Sequence, residues 1–593
     1  MSPTLQDLVD GWLQLDKNAE NRQEIEKLWA DGDTNELEKR LRTRIGFGTA
    51  GLRGRMEAGW SRMNDMIIIQ ASQGLCAYVL ENVSNAAERG VVVGHDHRHH
   101  SERWARLTAA AFIEKGVKVY LHRGLVHTPM VPFTVKQLSA ACGVMITASH
   151  NPKDDNGYKV YWENAVQIIS PHDKGISDAI LANLEPKNWD AEGVVASSLC
   201  IDATKDMIEA YFAHIRSLSR FRQLNQSCPI KFVNTSMHGV GHPFASRAFA
   251  EFGFAPFIPV KEQQEPDPDF PTIKFPNPEE KGALDLAFQT ADREGAAYVL
   301  AQDPDADRFA AAEKSPDGVW TAFTGDQLGT LFAGRALEQY KASGKPLNKL
   351  AMVASTVSSK MIEAMAEVEG FKFVECLTGF KFIGNTALTL ANEGYEVPFG
   401  YEEAIGYMIG SEIRDKDGVS AAASFAELVS TLSREGKTAN AYLRELYDRY
   451  GYFQTSNSYF ISSDPVVIDR IFARIRNFDG SAVSGKPSYP ITLAGLDVTS
   501  VRDLTVGYDS SNPPSFKPEL PLSSGHMIQF RATSRDGTKI FLTTRTSGTE
   551  PKIKYYLEGS GRDADAIGRL LQDVVNELGD HWLQAGLNNL GRP

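Results

Sequence analysis

A serine stands where an apolar run of the sequence gives way to a polar loop. Ser149 lies in the hexapeptide TASHNP, after the apolar run 140–146 and before the polar stretch 153–159. A hydroxyl at the carboxyl end of a strand sits where α/β sheets place their ligands, and the Asn-Pro pair turns the chain there. An exposed Ser149 could act as a nucleophile or carry a covalent group. Taken alone, the pattern is more typical of an ordinary polar loop at a strand end.

Three alternating aspartates form the second group that could do chemistry. Asp303, Asp305 and Asp307 can converge on one cation if their loop curls after the preceding strand, and oxygen-only ligands favour Mg²⁺. An EF-hand is excluded because Arg308 and Lys314 occupy the positions that need Gly and Glu. The alternative is a solvated acidic turn.

A third group has the residue types that bind phosphate. The loop RTSGTEP supplies a guanidinium, two hydroxyls and a flexible backbone in Arg545, Ser547, Gly548 and Thr549. Such donors suit a phosphate group, with further positive charge from Lys552 close behind. The alternative is an ordinary hairpin exit built of turn residues.

Two adjacent carboxylates, Glu402 and Glu403, follow an apolar strand directly. Neighbouring residues of an extended segment point to opposite faces, so at most one of them is expected to face a ligand. Carboxylates accept hydrogen bonds from neighbouring hydroxyls, which makes a sugar the natural partner. A charged strand edge is the alternative.

Two further polar loops carry weaker signals. The glycine-rich segment GTAGLRG (48–54) fits neither the dinucleotide nor the nucleotide phosphate-loop pattern. His97, His99 and His100 cluster at another strand end, but carboxylate or thiol companions at ligand spacing are missing. No metal site is predicted from these histidines.

Composition limits the classes of protein to consider. At 593 residues the chain needs roughly three to five domains, and 42% hydrophobic with 23% charged residues is typical of a globular protein. A net charge of −13 argues against nucleic-acid binding but not against small anionic substrates. Five scattered cysteines without a C-x-x-C pair indicate reduced thiols. No long apolar run indicates a membrane span, and the amphipathic N-terminal segment is unlike a secretory signal, so we expect a cytoplasmic protein.

Predicted strands and helices alternate over most of the chain, and the polar loops follow the strands. Strands are predicted at 90–94, 117–121, 230–233 and 297–301, with helices at 104–115, 129–138 and 242–252. Such alternation implies mostly parallel sheets. From about residue 456 a predicted hairpin, a strand and a closing helix indicate an antiparallel α+β domain. We therefore expect three successive α/β domains with mixed sheets (1–220, 221–345, 346–455) and a smaller α+β domain (456–593).

Four of these segments occur in the order of the signature loops of a known family. The segments TASHNP with Lys159 ten residues after its serine, DPDADR, GYEEAIGY and RTSGTEP resemble the α-D-phosphohexomutase superfamily. GTAGLRG and LTGFKFIG also resemble family segments, so the resemblance covers nearly the whole chain. The segment GYEEAIGYMIG is similar to the corresponding segment in the phosphoglucomutase/phosphopentomutase branch, which includes glucose-1,6-bisphosphate synthase.

The resemblance implies four domains around a central cleft and assigns a role to each site residue. Ser149 would be phosphorylated at rest, and Mg²⁺ would be held by that phosphoserine with Asp303, Asp305 and Asp307. Lys159 would be the general acid or base, with His150 and Arg308 beside the phosphoserine. Arg53 would be a further catalytic residue, at the cleft near the transferring phosphoryl group. Residues contacting the substrate would be Thr49, Lys381, Glu402, Glu403, Arg545, Ser547, Gly548 and Thr549.

The expected function is an intramolecular phosphotransferase that uses a sugar bisphosphate as intermediate and activator. Ala404 stands where many hexomutases have a serine that contacts the sugar, which favours pentose phosphates over glucose phosphates. The alternatives are a phosphoglucomutase, a metal-dependent phosphatase with a serine nucleophile, and a non-catalytic sugar-phosphate sensor. A monomer and a dimer remain equally open.

Overall fold

The computed structural model describes residues 3–462, 464–482, 487–547 and 552–592. The chain divides into two compact units. The first comprises Met1–Ala354 and Gly379–Asn440, and the second comprises Ser355–Thr378 and Ala441–Pro593.

Three short helices open the first unit: α1 (Leu5–Leu15), α2 (Ala19–Ala30) and α3 (Thr34–Leu41). A capping box between Thr4 and Asp7 starts α1, because each side chain bonds the other residue's backbone N–H. The apolar side of α1 buries Val9 and Trp12, as its periodicity predicts. Trp12 meets Trp60 edge to face, with ring centroids 4.6 Å apart.

The first α/β region of the chain contains six strands, and seven helices lie along it. The strands are β1 (Leu52–Arg55), β2 (Val91–His95), β3 (Val119–Leu121), β4 (Cys142–Ile146), β5 (Asp155–Tyr161) and β6 (Cys200–Ile201). The helices along this stretch of the chain are α4 (Asp65–Asn82), α5 (Ala86–Arg89), α6 (Ser101–Ile113), α7 (Met130–Leu138), α8 (His172–Leu181), α9 (Thr204–Leu218) and α10 (Arg222–Asn225). The sheet order is β1-β5-β4-β2-β3-β6, with β5 antiparallel to β4. The chain therefore reverses between β4 and β5, and the Ser149 loop is that reversal.

The second α/β region has a similar mixed sheet with five strands. They are β7 (Phe232–Thr235), β8 (Ile258–Pro259), β9 (Tyr298–Gln302), β10 (Phe309–Lys314) and β11 (Trp320–Ala322), in the order β11-β10-β9-β7-β8. The helices are α11 (Gly241–Phe252), α12 (Asp285–Glu294) and α13 (Gly325–Ala342). Strands β7 and β9 are parallel, whereas β9 and β10 are antiparallel. The aspartate loop is the tight connection between β9 and β10.

The next elements along the chain are shared between the two units. They are β12 (Leu350–Ser355), α14 (Met361–Glu369), β13 (Lys372–Cys376), α15 (Phe380–Asn392), β14 (Glu396–Glu402), β15 (Gly406–Ile409), α16 (Gly418–Arg434) and α17 (Ala439–Tyr450). In the first unit β12 runs parallel to β14, and β14 pairs with β15 in antiparallel register. The segment containing α14 and β13 belongs to the second unit.

An antiparallel sheet dominates the second unit. Its strands are β16 (Tyr452–Thr455), β17 (Ser458–Ile461), β18 (Thr492–Leu493), β19 (Leu496–Asp503), β20 (Tyr508–Asp509), β21 (Met527–Thr533), β22 (Lys539–Thr546) and β23 (Lys552–Gly561). Helices α18 (Pro465–Ile475) and α19 (Ala564–Glu577) also belong to this unit. The predicted hairpin is β21–β22, with Met527 opposite Arg545, and α19 is the predicted closing helix.

These sheets confirm the predicted fold class: three successive α/β regions with mixed sheets, followed by a β-rich C-terminal part. All five cysteines are free thiols. Across the described ranges, every helix is too short or too polar to cross a membrane.

Candidate active site

The Ser149 loop leaves the carboxyl end of β4 in a strained backbone conformation. Ser149 has φ +53°, in the left-handed region that a residue with a Cβ rarely adopts. Its Oγ donates a hydrogen bond of 2.8 Å to Asp303 Oδ2 and accepts one of 3.1 Å from Arg308 Nη1. Ser149 is only 2% exposed, because the aspartate loop lies against it.

Arg98 holds the backbone of this loop in place. One terminal nitrogen donates to the carbonyls of Pro152 (2.8 Å) and Asp155 (3.0 Å). The other donates to those of Ser149 (2.7 Å) and Asn151 (2.6 Å). The guanidinium lies over the Phe270 ring, 5.2 Å from its centroid, and Arg98 is only 3% exposed. A single buried side chain thus satisfies four carbonyls between Ser149 and Asp155, where the chain turns from β4 into β5.

The aspartate loop curls after β9, as the predicted cation site requires. Ala306 has φ +52°, and its N–H closes a turn onto the carbonyl of Asp303. One carboxylate oxygen from each of Asp303, Asp305 and Asp307 lies within 4.8 Å of the others, and all three residues are fully buried. The alternative of a solvated acidic turn is therefore excluded.

The donor set fits a hard divalent cation. Asp305 Oδ1 and Asp307 Oδ1 are buried and accept no hydrogen bond from the described residues. Burial, followed by the charges of Asp305 and Asp307, raises the pKa of Asp303 well above its ordinary value. Three converging carboxylates repel one another unless a cation lies among them, and oxygen ligands suit Mg²⁺.

Two lysines contact the same cluster. Lys159, on β5, places its Nζ 2.7 Å from Asp305 Oδ2 and 3.0 Å from Asp307 Oδ2. Lys416 Nζ lies 2.9 Å from Asp307 Oδ2. Burial lowers the pKa of Lys416, but Asp307 and Asp415 outweigh it and hold that pKa above its ordinary value. Sequence reasoning missed Lys416, although the charged run RDKDG directly before the apolar helix α16 was a usable signal.

The start of α16 approaches the aspartate loop too closely for any side chain on Gly418. A Cβ there would lie 2.1 Å from the carbonyl oxygen of Arg308. The Gly418 N–H instead donates to the carbonyl of Ala306 at 3.1 Å. The helix and the loop therefore pack in direct contact through their backbone atoms.

His150 and Arg308 lie beside Ser149, as predicted. Arg308 Nη1 contacts His150 Nδ1 as well as Ser149 Oγ, and its Nε donates to the carbonyl of Ala404 at 3.1 Å. Burial, followed by the charges of Arg308 and Arg53, holds the pKa of His150 well below its ordinary value. The imidazole is therefore neutral near pH 7.

The predicted residues from the N-terminal loop and from α15 meet near the serine loop. Arg53 Nη1 donates to Asn151 Oδ1 at 3.3 Å. Lys381 Nζ donates to Thr49 Oγ1, which joins two predicted ligand residues more than 300 positions apart in sequence. These contacts are side chain to side chain, so the groups keep the freedom to exchange partners with a ligand.

The two adjacent glutamates at the end of β14 differ in burial. Glu402 is 6% exposed, whereas Glu403 is half-buried. Burial raises the pKa of Glu402 to about 7, even though Lys416 and Arg308 act to lower it. Glu402 can therefore accept or donate a hydrogen bond near neutral pH, which suits a sugar hydroxyl.

The predicted phosphate loop belongs to the second unit. Arg545, near the end of β22, donates from Nη2 to the Tyr556 hydroxyl at 3.3 Å, and Ser547 directly follows the strand. Arg545 Nε is buried without a hydrogen-bond partner in the described part of the chain. The predicted residues Gly548 and Thr549 lie outside the described residues.

Comparisons with known proteins agree with this site and fold. Models described as "Phosphoglucomutase/phosphomannomutase, alpha/beta/alpha domain" I, II and III match residues 44–187, 209–318 and 324–450. Human phosphopentomutase is 45% identical, covering 98% of this chain and 96% of its own length. Human glucose 1,6-bisphosphate synthase is 44% identical, covering 99% and 96%.

A solved structure shares the fold at low sequence identity. The open form of the Paramecium phosphoprotein pp63/parafusin superposes with a TM-score of 0.67 at 18% identity, covering 93% of this chain and 97% of its own. The resemblance predicted from the four loops is confirmed. With three matching domain models and relatives that are 44% and 45% identical over nearly their full length, the chain belongs to the phosphoglucomutase/phosphomannomutase family.

Proposed function

We propose that the protein is a phosphosugar mutase that moves a phosphoryl group between C1 and C5 of ribose and deoxyribose phosphates. The observation that carries the proposal is the 2.8 Å hydrogen bond from Ser149 Oγ to Asp303, inside a buried cluster of three carboxylates. A serine hydroxyl beside carboxylates that can hold a divalent cation suits phosphoryl transfer through a phosphoserine. Glucose phosphates are proposed as slower substrates.

The phosphoryl group passes from Ser149 Oγ to the free hydroxyl of a sugar monophosphate, which becomes a bisphosphate. The bisphosphate turns around and returns its other phosphoryl group to Ser149, releasing the isomeric monophosphate. Atoms balance, because each transfer breaks one P–O bond and forms another. Return to the serine distinguishes this cycle from that of a phosphatase, in which water takes the phosphoryl group.

The residues around Ser149 divide the remaining tasks. Asp303, Asp305 and Asp307 would hold Mg²⁺, which when bound supplies a Lewis acid that neutralises phosphoryl oxygen charge. Arg308 donates to Ser149 Oγ and stabilises the charge that develops on this oxygen during transfer. Lys159, which shares carboxylates with the cation site, gives a proton to the departing serine oxygen and takes one from the attacking hydroxyl.

The substrate contacts follow from the polar groups nearest the loop. Glu402 binds sugar hydroxyls in either orientation of the bisphosphate, aided by Lys381, Thr49 and Arg53, with Glu403 beside it. The loop containing Arg545, Ser547, Gly548 and Thr549 is proposed to bind the phosphate that is not reacting. The backbone carbonyl of Ala404 is engaged by Arg308 and its methyl group offers no hydrogen bond to a sugar, which supports the pentose preference.

The sugar preference is tested by comparing kcat/KM for ribose 1-phosphate and glucose 1-phosphate, with a bisphosphate activator supplied. We expect ribose 1-phosphate to be preferred at least tenfold, and Ala404→Ser to narrow this ratio by raising turnover of the glucose ester. Preference for glucose 1-phosphate in the unsubstituted enzyme would contradict the pentose assignment. Stoichiometric release of inorganic phosphate would instead favour the phosphatase alternative.

A cytoplasmic location is part of the proposal. Its support is the packing of the N-terminal segment as helix α1, with Val9 and Trp12 buried, and the five free thiols. Fractionation of cells carrying the tagged protein tests this: enrichment in a membrane or secreted fraction would contradict it.

A further inference from the structure

Thr128, from the first α/β region, donates two hydrogen bonds to the aspartate loop of the second region. The Thr128 N–H donates to the carbonyl of Asp305 at 3.0 Å. Its Oγ1 donates to Asp305 Oδ2 at 2.5 Å. Thr128 and Asp305 are both fully buried, so water does not compete for either bond. One residue thus fixes the backbone and the carboxylate of Asp305 together.

The two oxygens of the Asp305 carboxylate have different hydrogen-bond partners. Oδ2 accepts from the Thr128 hydroxyl and from Lys159 Nζ, at 2.5 and 2.7 Å. Oδ1 is buried and receives no hydrogen bond from the described chain. Rotation of the carboxylate about its Cβ–Cγ bond away from this orientation would break the bonds to Thr128 and Lys159 and would change the direction in which Oδ1 points. The Thr128 hydroxyl opposes that rotation because its β-branched side chain has few χ1 alternatives.

The loop that carries Thr128 is itself anchored by packing. The His127 ring lies between Tyr211 and Phe244, with centroids 4.7 and 4.2 Å away. Burial lowers the pKa of His127 to about 3, so the ring packs as a neutral aromatic group. Pro129 follows and fixes the backbone angle φ before α7 begins. Thr128 therefore has little freedom to follow Asp305 if the carboxylate turns.

We propose that Thr128 is a positioning residue for the metal site, which keeps Asp305 Oδ1 directed toward the cation by binding Oδ2. The inference rests on the proposed function, because it concerns the cation that Asp303, Asp305 and Asp307 would hold. Partners of this kind set the orientation of ligands, and their loss typically weakens metal binding by roughly 10- to 100-fold. Residue types and spacing around position 128 gave no sign of this role.

Binding of Mn²⁺, followed by the electron paramagnetic resonance of the free ion, tests the role without an activity assay. We expect Thr128→Val, which replaces the hydroxyl by a methyl group of similar size, to raise the Mn²⁺ Kd about tenfold. Thr128→Ser restores the donor and should stay within threefold of the unsubstituted protein. The matched control is Thr134→Val, which removes a buried hydroxyl that bonds His122 instead. All four proteins are compared at the same phosphorylation state of Ser149, checked by intact mass.

The outcomes separate the two claims. Unchanged Mn²⁺ affinity in Thr128→Val, or equal weakening in Thr134→Val, would overturn the role of Thr128 and leave the metal site standing. Absence of stoichiometric Mn²⁺ binding in the unsubstituted protein would overturn the metal site and Thr128's role with it. Should Thr128→Val fail to fold by circular dichroism, Thr128→Ala removes the same hydroxyl with a smaller side chain and gives the same comparison.

Discussion

At the scale of single residues, the site depends on side chains that bond several backbone or carboxylate groups at once. Arg98 satisfies four carbonyls of the Ser149 loop, and Arg308 contacts Ser149, His150 and Ala404. A planar guanidinium with five donors can do this, whereas an ammonium cannot. The left-handed conformation of Ser149 is therefore maintained by its surroundings.

Replacing Arg98 by lysine should be costly even though the charge is kept. We expect a loss of roughly 2–4 kcal/mol in the free energy of unfolding, because buried carbonyls left without donors cost about 1–3 kcal/mol each. Urea unfolding followed by circular dichroism gives the value. Arg106→Lys, on the surface of α6 where the arginine pairs with Glu102 and Glu192, is the matched control. Similar losses in both variants would contradict the assigned role of Arg98.

The buried carboxyl of Glu402 should make stability depend on pH in a defined direction. Its pKa is raised from 4.5 to about 7, so the folded state binds the proton more tightly than the unfolded state. The stabilisation is complete below about pH 4.5 and is lost as pH rises through 7. Between these limits the unsubstituted protein should lose roughly 3 kcal/mol relative to Glu402→Gln, at about 1.4 kcal/mol per pH unit. Parallel pH profiles of the thermal midpoint in the two proteins would refute this.

At the scale of elements, the site is assembled where strands end and helices begin. The reversal between β4 and β5 carries Ser149, the turn between β9 and β10 carries the aspartates, and the end of β14 carries Glu402. Helix α16 is seated on the aspartate loop through Gly418. Strand ends are suitable because the sheet fixes their direction while the loop remains free to present side chains.

A methyl group on Gly418 should separate α16 from the aspartate loop. The added Cβ would lie 2.1 Å from the Arg308 carbonyl oxygen, so backbone must shift. We expect Gly418→Ala to lose about 1–3 kcal/mol of stability and more than tenfold in turnover. Gly11→Ala is the control, because its Cβ meets nothing within 4 Å in the middle of α1 and should be neutral or stabilising. Equal thermal midpoints for the two variants would show that the contact is not required.

The chemistry-bearing loops were predictable because each combines an apolar strand with an abrupt run of polar residues. Order and residue type indicate Ser149, the three aspartates and Glu402 as candidate site residues. Thr128 was not predictable in this way, since it contacts an aspartate more than 100 positions away and only the folded topology brings the two together. The burial of Ser149 is likewise not readable from the sequence, because the residues that cover it come from a distant loop.

At the scale of the whole molecule, the cation is expected to contribute to both turnover and stability. Mutual repulsion of three buried carboxylates is relieved by the lysines and, we propose, by Mg²⁺. Chelation with EDTA should abolish mutase turnover and lower the thermal midpoint by a few degrees, and added Mg²⁺ should restore both. Asp305→Asn should blunt the Mg²⁺-dependent shift. Turnover that persists in EDTA would refute the metal assignment.

The family assignment and the buried serine lead to one central claim, that Ser149 gives and receives the transferred phosphoryl group. The most direct test is incubation with a sugar bisphosphate labelled with ³²P in its phosphoryl groups, followed by peptide mapping. We expect one label per chain on Ser149, its transfer to added ribose 1-phosphate or ribose 5-phosphate, and no label on a folded Ser149→Ala variant. Labelling of another residue, or full turnover by Ser149→Ala, would contradict the account.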